Sequence, residues 1–111
     1  MKFIKHLSEP WFSLVKNSIK TSEGRLIKGE WAKMKIGDII EFYNDDDFFE
    51  VVINDIKLYK SFEDMIRAER LKNVLPGYKK IKTGVKEVYY KFFKPKDEKK
   101  YGVLAIRMTV V

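Results

Sequence analysis

The sequence predicts an α+β protein in which helices pack against a small curved β-sheet or barrel. Strand-like and helical patterns do not alternate regularly along the chain, as they would in a doubly wound α/β fold. The segment Phe48–Ile56 is apolar on both faces, with Phe49, Val51 and Ile53 on one of them, which is typical of a covered strand. We therefore expect the order β-α-β-loop-β-β-α-α-β in a single domain of residues 1–111.

The first third of the chain predicts a strand, a helix and a second strand. Their expected bounds are Lys2–His6, about Glu9–Asn17, and Thr21–Leu26. Ser8 offers an N-cap for the helix, whose first turn tolerates Pro10. We expect the inward face of the helix to carry Trp11, Leu14, Val15 and Ile19.

The middle of the chain predicts a loop followed by a β-hairpin. Lys28–Lys35 has a loop-like composition, with Trp31 and Met34 as apolar plugs. The hairpin strands are expected at Ile39–Tyr43 and Phe48–Ile56, the second continuing to Lys60, with the turn at Asn44–Asp47. The adjacent Asp residues of this turn lack the alternating ligands of a calcium-binding loop, so we predict no metal site.

The second half of the chain predicts helices and a closing strand. Ser61 and Asp64 form a capping pair at the start of a helix. Its buried face is expected to carry Phe62, Met65 and Ile66. Apolar residues at i, i+3, i+4, i+7 and i+8 predict a second helix over Thr83–Phe93. The other expected segments are a short helical turn around Leu71, Val74 and Leu75, a charged connector at Lys94–Lys100 and a strand at Tyr101–Val110 that is buried on both faces.

The composition excludes several classes of protein. The chain has no Cys and a single His, His6, which rules out disulfides, thiolate zinc sites and a cysteine nucleophile. No apolar run approaches the roughly 20 residues of a membrane-spanning helix, and the N-terminus is too charged for a signal peptide. We therefore expect a cytoplasmic protein without a membrane partner, and no residue pattern indicates a cofactor.

The net charge of +7 favours an anionic partner, of which nucleic acid is the commonest. A Lys-rich composition also follows from biased codon usage or a high growth temperature, so charge alone does not identify the partner. The oligomeric state is left open by the sequence.

The segment Ser18–Arg25 concentrates chemistry in eight positions and is the candidate functional site. A carboxylate, Glu23, lies between two cations, Lys20 and Arg25, beside the flexible Gly24. In an extended segment Glu23 and Arg25 share one face, and Lys20 points to the other unless a bend re-aims it. Such a group can bind an anionic, polar partner. The structural alternative is an ion-pair strip on the surface, worth under ~1 kcal/mol.

Three short motifs resemble the ASCH domain, a family of the PUA-like superfamily. These motifs are Leu7-Ser8-Glu9-Pro10-Trp11-Phe12, Lys20-Thr21-Ser22-Glu23-Gly24-Arg25 and Lys35-Ile36-Gly37-Asp38. The family signature is Gly-x-Lys-x-x-Glu-x-Arg, and Lys20, Glu23 and Arg25 match it, whereas Ser18 stands where Gly is usual. The closing Tyr101–Ile106 is also similar to the last strand of the family.

The resemblance implies a mixed β-barrel of the PUA-like type with flanking helices and a cleft lined by the signature. Relatives of this kind are proposed to bind RNA, and one bacterial branch removes acetyl from acetylcytidine. Lys20 matches the Lys of that branch, but its catalytic Thr falls at Glu23, although Thr21 is near. No later Glu matches securely, and the nearest candidates are Glu69 and Glu87.

The sequence thus supports an RNA-binding or nucleotide-binding domain first. In this hypothesis Lys20 and Arg25 contact phosphate or a base edge, and Glu23 orients them or accepts from a base. The aromatic residues that could stack on unpaired bases are Trp11, Trp31, Tyr59 and Tyr78. The lysines that could contact the phosphate backbone of the RNA are Lys57, Lys60, Lys79, Lys80 and Lys82.

The alternative is a small hydrolase acting on a modified nucleoside or on RNA, with Lys20 and Glu23 as catalytic residues. Lys20 would then need a lowered pKa, which a nearby Glu23 opposes. A third possibility is that Glu23 and Arg25 pair only to stabilise the barrel.

Overall fold

Five β-strands form one mixed sheet that curves into a half-barrel. The computed structural model describes residues 1–111. The strands are β1 (Lys2–His6), β2 (Ser22–Leu26), β3 (Ile39–Asn44), β4 (Asp47–Tyr59) and β5 (Val103–Val110). Their order is β1-β3-β4-β5-β2, with β1 parallel to β3 and every other pair antiparallel. The predicted α+β class is confirmed, and β1 and β2 are the two edges of the sheet.

Short helices cover both faces of the sheet. They are α1 (Trp11–Lys16), a 3₁₀ helix (Gly29–Lys33), α2 (Phe62–Glu69), α3 (Leu71–Val74), α4 (Ile81–Gly84), a π-helical turn (Val85–Tyr89), α5 (Tyr90–Phe92) and α6 (Pro95–Tyr101). The predicted cap of α2 is confirmed, because the Asp64 amide donates to the Ser61 hydroxyl at 3.0 Å. No helix has the length and apolar character that a membrane span would need.

Two apolar cores lie on the two faces of the sheet, and β5 contributes to both. The first core contains Phe3, Leu7, Phe12, Val15, Met34, Ile40, Phe42, Phe49, Val51, Ile53, Leu104, Ile106 and Met108. The second contains Leu26, Phe62, Met65, Ile66, Val74, Leu75, Val85, Val88, Tyr89, Val103 and Ala105. Burying each large apolar side chain contributes about 1.5–3 kcal/mol. Strand β5 is buried on both faces, as predicted, and Trp11 packs against both cores.

The predicted first helix is too long, and its inward face is partly wrong. Helix α1 buries Phe12 and Val15, whereas Ile19 is 54% exposed. The reason is that α1 ends at Lys16, so Ile19 no longer follows the helical period. Ser8 provides no side-chain cap. Instead the Glu9 carboxylate accepts from the amide and hydroxyl of Ser13, at 2.9 and 2.6 Å.

Three further sequence expectations need correction. The predicted loop Lys28–Lys35 contains the 3₁₀ helix, and the predicted connector Lys94–Lys100 is mostly helix α6. The burial of Glu98 ties α6 to the core, because this carboxylate accepts from the Phe62 amide and the Tyr90 hydroxyl, each at 2.7 Å. The outer face of β4 is not fully covered, since Phe48 is 62% exposed.

Candidate functional site

A turn before β2 brings the candidate cations and carboxylate to one place. Ser18 adopts φ 61°, a left-handed conformation that a Gly adopts more easily, which matches the usual Gly of the family signature. The amides of Ile19 and Lys20 both donate to the Leu14 carbonyl, at 2.9 and 3.0 Å. Lys20 therefore precedes β2 and does not follow the alternation of the strand, so its side chain can reach Glu23.

Glu23 holds both cations through its two carboxylate oxygens. Lys20 Nζ lies 3.3 Å from Glu23 Oε1. Arg25 donates to Glu23 Oε2 from Nε at 3.0 Å and from Nη2 at 2.9 Å. The Lys20 side chain is only 1% exposed, whereas that of Arg25 is 25% exposed. The three groups thus form one network that runs from the interior to the surface.

The ammonium of Lys20 is fully coordinated by the protein. It donates to the Ser22 carbonyl at 2.7 Å and to the Val74 carbonyl, in addition to its contact with Glu23. A lysine ammonium has three protons, so no donor is left for a ligand. Lys20 consequently acts by holding Glu23 and the chain around it in position.

Burial and charge act in opposite directions on the pKa values of this network. Burial lowers the pKa of the Lys20 ammonium below its ordinary value, although Glu23 opposes this shift. Burial alone would raise the pKa of Glu23, but the Arg25 and Lys20 cations outweigh it and keep that pKa below its ordinary value. Glu23 is therefore ionised at neutral pH and can only accept hydrogen bonds.

Two tryptophans flank the cations. Lys20 Nζ lies 5.6 Å from the centre of the Trp11 ring, and the guanidinium carbon of Arg25 lies 4.5 Å from that of Trp31. Contacts of this kind contribute ~0.5–2 kcal/mol and hold the cation over the ring face. The aromatic rings therefore fix where the charges of the network lie.

A cavity of about 410 Å³ opens beside this network, at the free edge of β2. Its polar wall is formed by His6, Ser8, Lys20, Glu23, Gly24, Arg25 and the hydroxyl end of Tyr89, and its apolar wall includes Trp11, Leu75, Val88, Phe92 and Phe93. The volume is in the ~300–1,000 Å³ range of cavities that bind small molecules. Four of the predicted site residues, Trp11, Lys20, Glu23 and Arg25, thus meet at one concave surface.

Tyr59 and Lys80, the other two predicted site residues, lie elsewhere. The Tyr59 hydroxyl donates to Glu69 Oε2 at 2.6 Å, and burial together with this carboxylate raises the pKa of Tyr59 to about 12. Lys80 is exposed and immediately precedes α4. Neither side chain lines the cavity.

Glu69 is the centre of a second buried polar cluster, on the other face of β2. It accepts from Ser22 Oγ at 3.1 Å, Tyr59 Oη at 2.6 Å, and Arg107 Nε and Nη2 at 3.0 and 2.9 Å. Glu69, Glu87 and Thr21, which the comparison with the deacetylating branch singled out, do not line the cavity of Lys20. No group of His, Asp and Glu side chains is placed to hold a metal ion.

Tyr89 is a cavity residue that the sequence analysis assigned only to an apolar stripe. Its ring stacks on Phe62, with the ring centres 4.2 Å apart, and its hydroxyl is buried without a hydrogen-bond partner. A hydroxyl within an otherwise hydrocarbon stripe was the one signal that could have indicated a role at the site.

Fold and site together define a PUA-like half-barrel with a polar cavity at the edge of its signature strand. The family model for the ASCH domain matches residues 6–111. The chain therefore belongs to the ASCH domain family, and the resemblance noted in its sequence is confirmed.

Two solved structures are similar over the whole chain. The crystal structure of hypothetical protein PH0355 is 40% identical, with a TM-score of 0.92 and complete coverage of both chains. The solution NMR structure of protein PF0455 from Pyrococcus furiosus is 38% identical, with a TM-score of 0.83, and the match covers 100% of this chain and 98% of that one. A comparison with curated proteins found no significant match. The PUA-like fold is thus confirmed.

Proposed function

We propose that this ASCH domain binds single-stranded RNA at the cavity beside β2. The observation that carries the proposal is the Lys20–Glu23–Arg25 network, which lines a cavity with aromatic walls in a chain of net charge +7. Cations near the surface attract the phosphate backbone, and aromatic rings stack on unpaired bases. Duplexes hide their bases from such a cavity, so the proposal is restricted to unpaired strands.

The residues of the network have different roles in this proposal. Arg25 reaches the surface and contacts phosphate, while Trp31 and Glu23 fix its guanidinium. Glu23 accepts a hydrogen bond from a base. Lys20 is a positioning residue, because its protons are used within the protein. Trp11 forms a stacking wall.

A groove next to the cavity offers a path for the rest of the strand. It shares Ser8, Trp11, Val88 and Phe92 with the cavity wall and extends to Tyr78 and Lys91. Tyr78 begins the exposed basic loop that contains Lys80. We place the phosphates that follow the bound nucleotide along this loop, where Lys80 contributes by charge. Tyr59 lies away from this path and is not part of the proposed interface.

Titration of a labelled ten-nucleotide RNA by fluorescence anisotropy, at several salt concentrations, tests the proposal. Binding should weaken with a slope of about 0.7 per phosphate neutralised in a plot of log K against log salt. Arg25→Ala should weaken binding about tenfold and reduce the slope. The matched control is Arg67→Ala, which removes the same charge from an exposed ion pair on α2.

The two variants separate a specific interface from general charge attraction. Equal losses in Arg25→Ala and Arg67→Ala would show that only net charge matters. The absence of salt-dependent binding to any RNA would overturn the proposal altogether.

A hydrolase acting on a modified nucleoside or on RNA is the second candidate. Its support is the lowered pKa of Lys20, because a neutral amine can act as a base or nucleophile. However, neither Thr21 nor Glu69 nor Glu87 lines the cavity to assist it. Incubation with acetylcytidine should therefore release no cytidine. Cytidine release by the wild type that is lost in Lys20→Ala would favour the hydrolase instead.

A further inference from the structure

Strand β2 presents the backbone N–H and C=O of one residue, Gly24, to the cavity, and both groups are free. The Met108 amide donates to the Thr21 carbonyl, just before β2, and the Ile27 amide donates to the Gly102 carbonyl, just after it. The odd-numbered residues along β2 are therefore the ones that form hydrogen-bonded pairs with β5. Pairs alternate along an antiparallel ladder, so Gly24, opposite Ala105, points its N–H and C=O away from β5. That direction is the free edge of the sheet, where Gly24 lines the cavity.

Gly24 is buried, and because β2 pairs only with β5, its outward amide and carbonyl have no strand partner, nor does any turn, loop or side-chain group bond to them. Buried backbone groups are almost always paired, because an unpaired one costs as much as a lost hydrogen bond. The other carbonyls of this edge are occupied, since Ser22 accepts from Lys20 and Leu26 accepts from the Lys28 amide. Gly24 is therefore the only residue of this edge whose carbonyl is free beside a free amide, whereas an added peptide strand needs an acceptor at every second residue.

The hydroxyl of Tyr89 is a third unpartnered group at the same place. A Cβ at position 24 would lie 3.1 Å from this hydroxyl and 2.7 Å from Met65 Sδ, so Gly allows both side chains to approach the strand closely. Tyr89 ends the π-helical turn, an irregularity that is frequent at functional sites. Burial raises the pKa of Tyr89 well above its ordinary value, so the hydroxyl keeps its proton.

We propose that the cavity binds one planar heterocycle of the nucleobase class, whose polar edge pairs with the N–H and C=O of Gly24 and with the Tyr89 hydroxyl. This inference deepens the proposed function by naming the ligand class of the same cavity. Each nucleobase carries a donor and an acceptor side by side on an edge, which matches the N–H and C=O of one extended residue. Glu23 adds an acceptor, because Oε1 has only Lys20 as a donor.

Titration of the amide NMR spectrum with uridine, cytidine, adenosine and guanosine at millimolar concentration tests the inference without any RNA. At least one nucleoside should shift the Gly24 amide resonance in a saturable manner. Tyr89→Phe should weaken that nucleoside about tenfold, since one buried hydrogen bond is lost. The matched control is Tyr90→Phe, whose hydroxyl donates to Glu98 outside the cavity and whose loss should leave nucleoside affinity unchanged.

An abasic RNA of the same length distinguishes failure of this inference from failure of the proposed function. Weaker binding of the abasic strand supports the inference. If the abasic strand binds as well as the normal one, and no nucleoside shifts Gly24, the inference is overturned while salt-dependent RNA binding stands. Nucleoside binding in the absence of RNA binding would overturn the proposed function alone. Equal nucleoside affinity of Tyr89→Phe and wild type would also overturn the pairing.

Discussion

Glu23 and Glu69 are both buried carboxylates beside β2, and each accepts two hydrogen bonds from one arginine. They differ in what surrounds them. Glu69 accepts from Ser22, Tyr59 and twice from Arg107, which fills the roughly four lone-pair sites of a carboxylate. Glu23 accepts from Lys20 and twice from Arg25, which leaves one position free. Each carboxylate adjoins a cavity, but the cavity beside Glu23 has a largely apolar wall, whereas the one beside Glu69 is lined mainly by polar residues.

In our proposal, this difference separates a structural polar cluster from a ligand-binding site. The acceptor positions of Glu69 are all used within the protein. Around Glu23 three sets of groups are free: one acceptor site of its carboxylate, the N–H and C=O of Gly24, and the Tyr89 hydroxyl. A buried ion pair alone is therefore weak evidence for function. Unpaired polar groups beside the ion pair are more informative, because no hydrogen bond in the free protein offsets the free-energy cost of burying them.

The largest expected effect is on the structural side of this comparison. Glu69→Ala should lower the free energy of unfolding by about 3 kcal/mol, because it leaves Ser22, Tyr59 and Arg107 without their acceptor. RNA affinity should not change, because Glu69 does not line the cavity. Urea unfolding and RNA titration of the same sample measure both quantities.

The matched control for this variant is Glu63→Ala, an exposed carboxylate of the same helix that pairs with Arg67. It should change stability by less than about 0.5 kcal/mol. Retained stability with lost RNA binding in Glu69→Ala would reverse the assignment of the two carboxylates.

The next effect is on RNA binding at Glu23. Glu23→Gln should weaken RNA binding about tenfold, because the Gln side-chain amide no longer holds Arg25 and presents N–H donors where acceptors are needed. The substitution also makes the chain one charge more positive. A surface that attracts RNA only by charge would therefore bind more tightly, so the sign of the change in anisotropy titrations decides between the two models.

A third test uses acid. Burial would raise the pKa of Glu69, but hydrogen bonds from Arg107, Tyr59 and Ser22 keep it below the ordinary 4.5. The unfolded chain then binds more protons in this range, so stability is present above about pH 4.5 and is lost as pH falls through the lower folded pKa. Glu69→Gln should flatten this loss when urea unfolding is measured at pH values from about 5 to about 2. An unchanged acid profile would mean that the cluster contributes nothing as an anion.

The fold class and most strands were predictable because they follow local periodicity. Strand β4 and helix α2 carry their apolar residues at the period of two or 3.6 that burial requires. Helix α6 was missed because its residues are nearly all charged, and it is tied down by Glu98, which accepts from the distant Phe62 amide. No local pattern carries that information.

The candidate site was predictable only in part. Lys20, Glu23 and Arg25 lie within six positions of the sequence, so their meeting needed only the turn at Ser18. Whether the N–H and C=O of Gly24 are free depends on the register of β2 against β5. The hydroxyl of Tyr89 belongs to a residue that is distant in the sequence from the signature segment. Both depend on pairing between distant segments, which composition and spacing do not encode.

The smallest expected effect compares two tyrosines, one beside each carboxylate. Tyr59→Phe should cost about 1 kcal/mol at neutral pH, because Glu69 loses a hydrogen bond. Tyr89→Phe should cost nothing or stabilise the fold, because its hydroxyl is buried without a partner. The pKa of Tyr59 is raised to about 12, so its contribution is present below the ordinary value of 10.0 and is lost as pH rises towards 12. The difference in unfolding free energy between wild type and Tyr59→Phe should therefore shrink in alkali. An equal cost for both tyrosines would show that the Tyr89 hydroxyl is satisfied in the free protein and that the two sides of β2 are not as different as their contacts indicate.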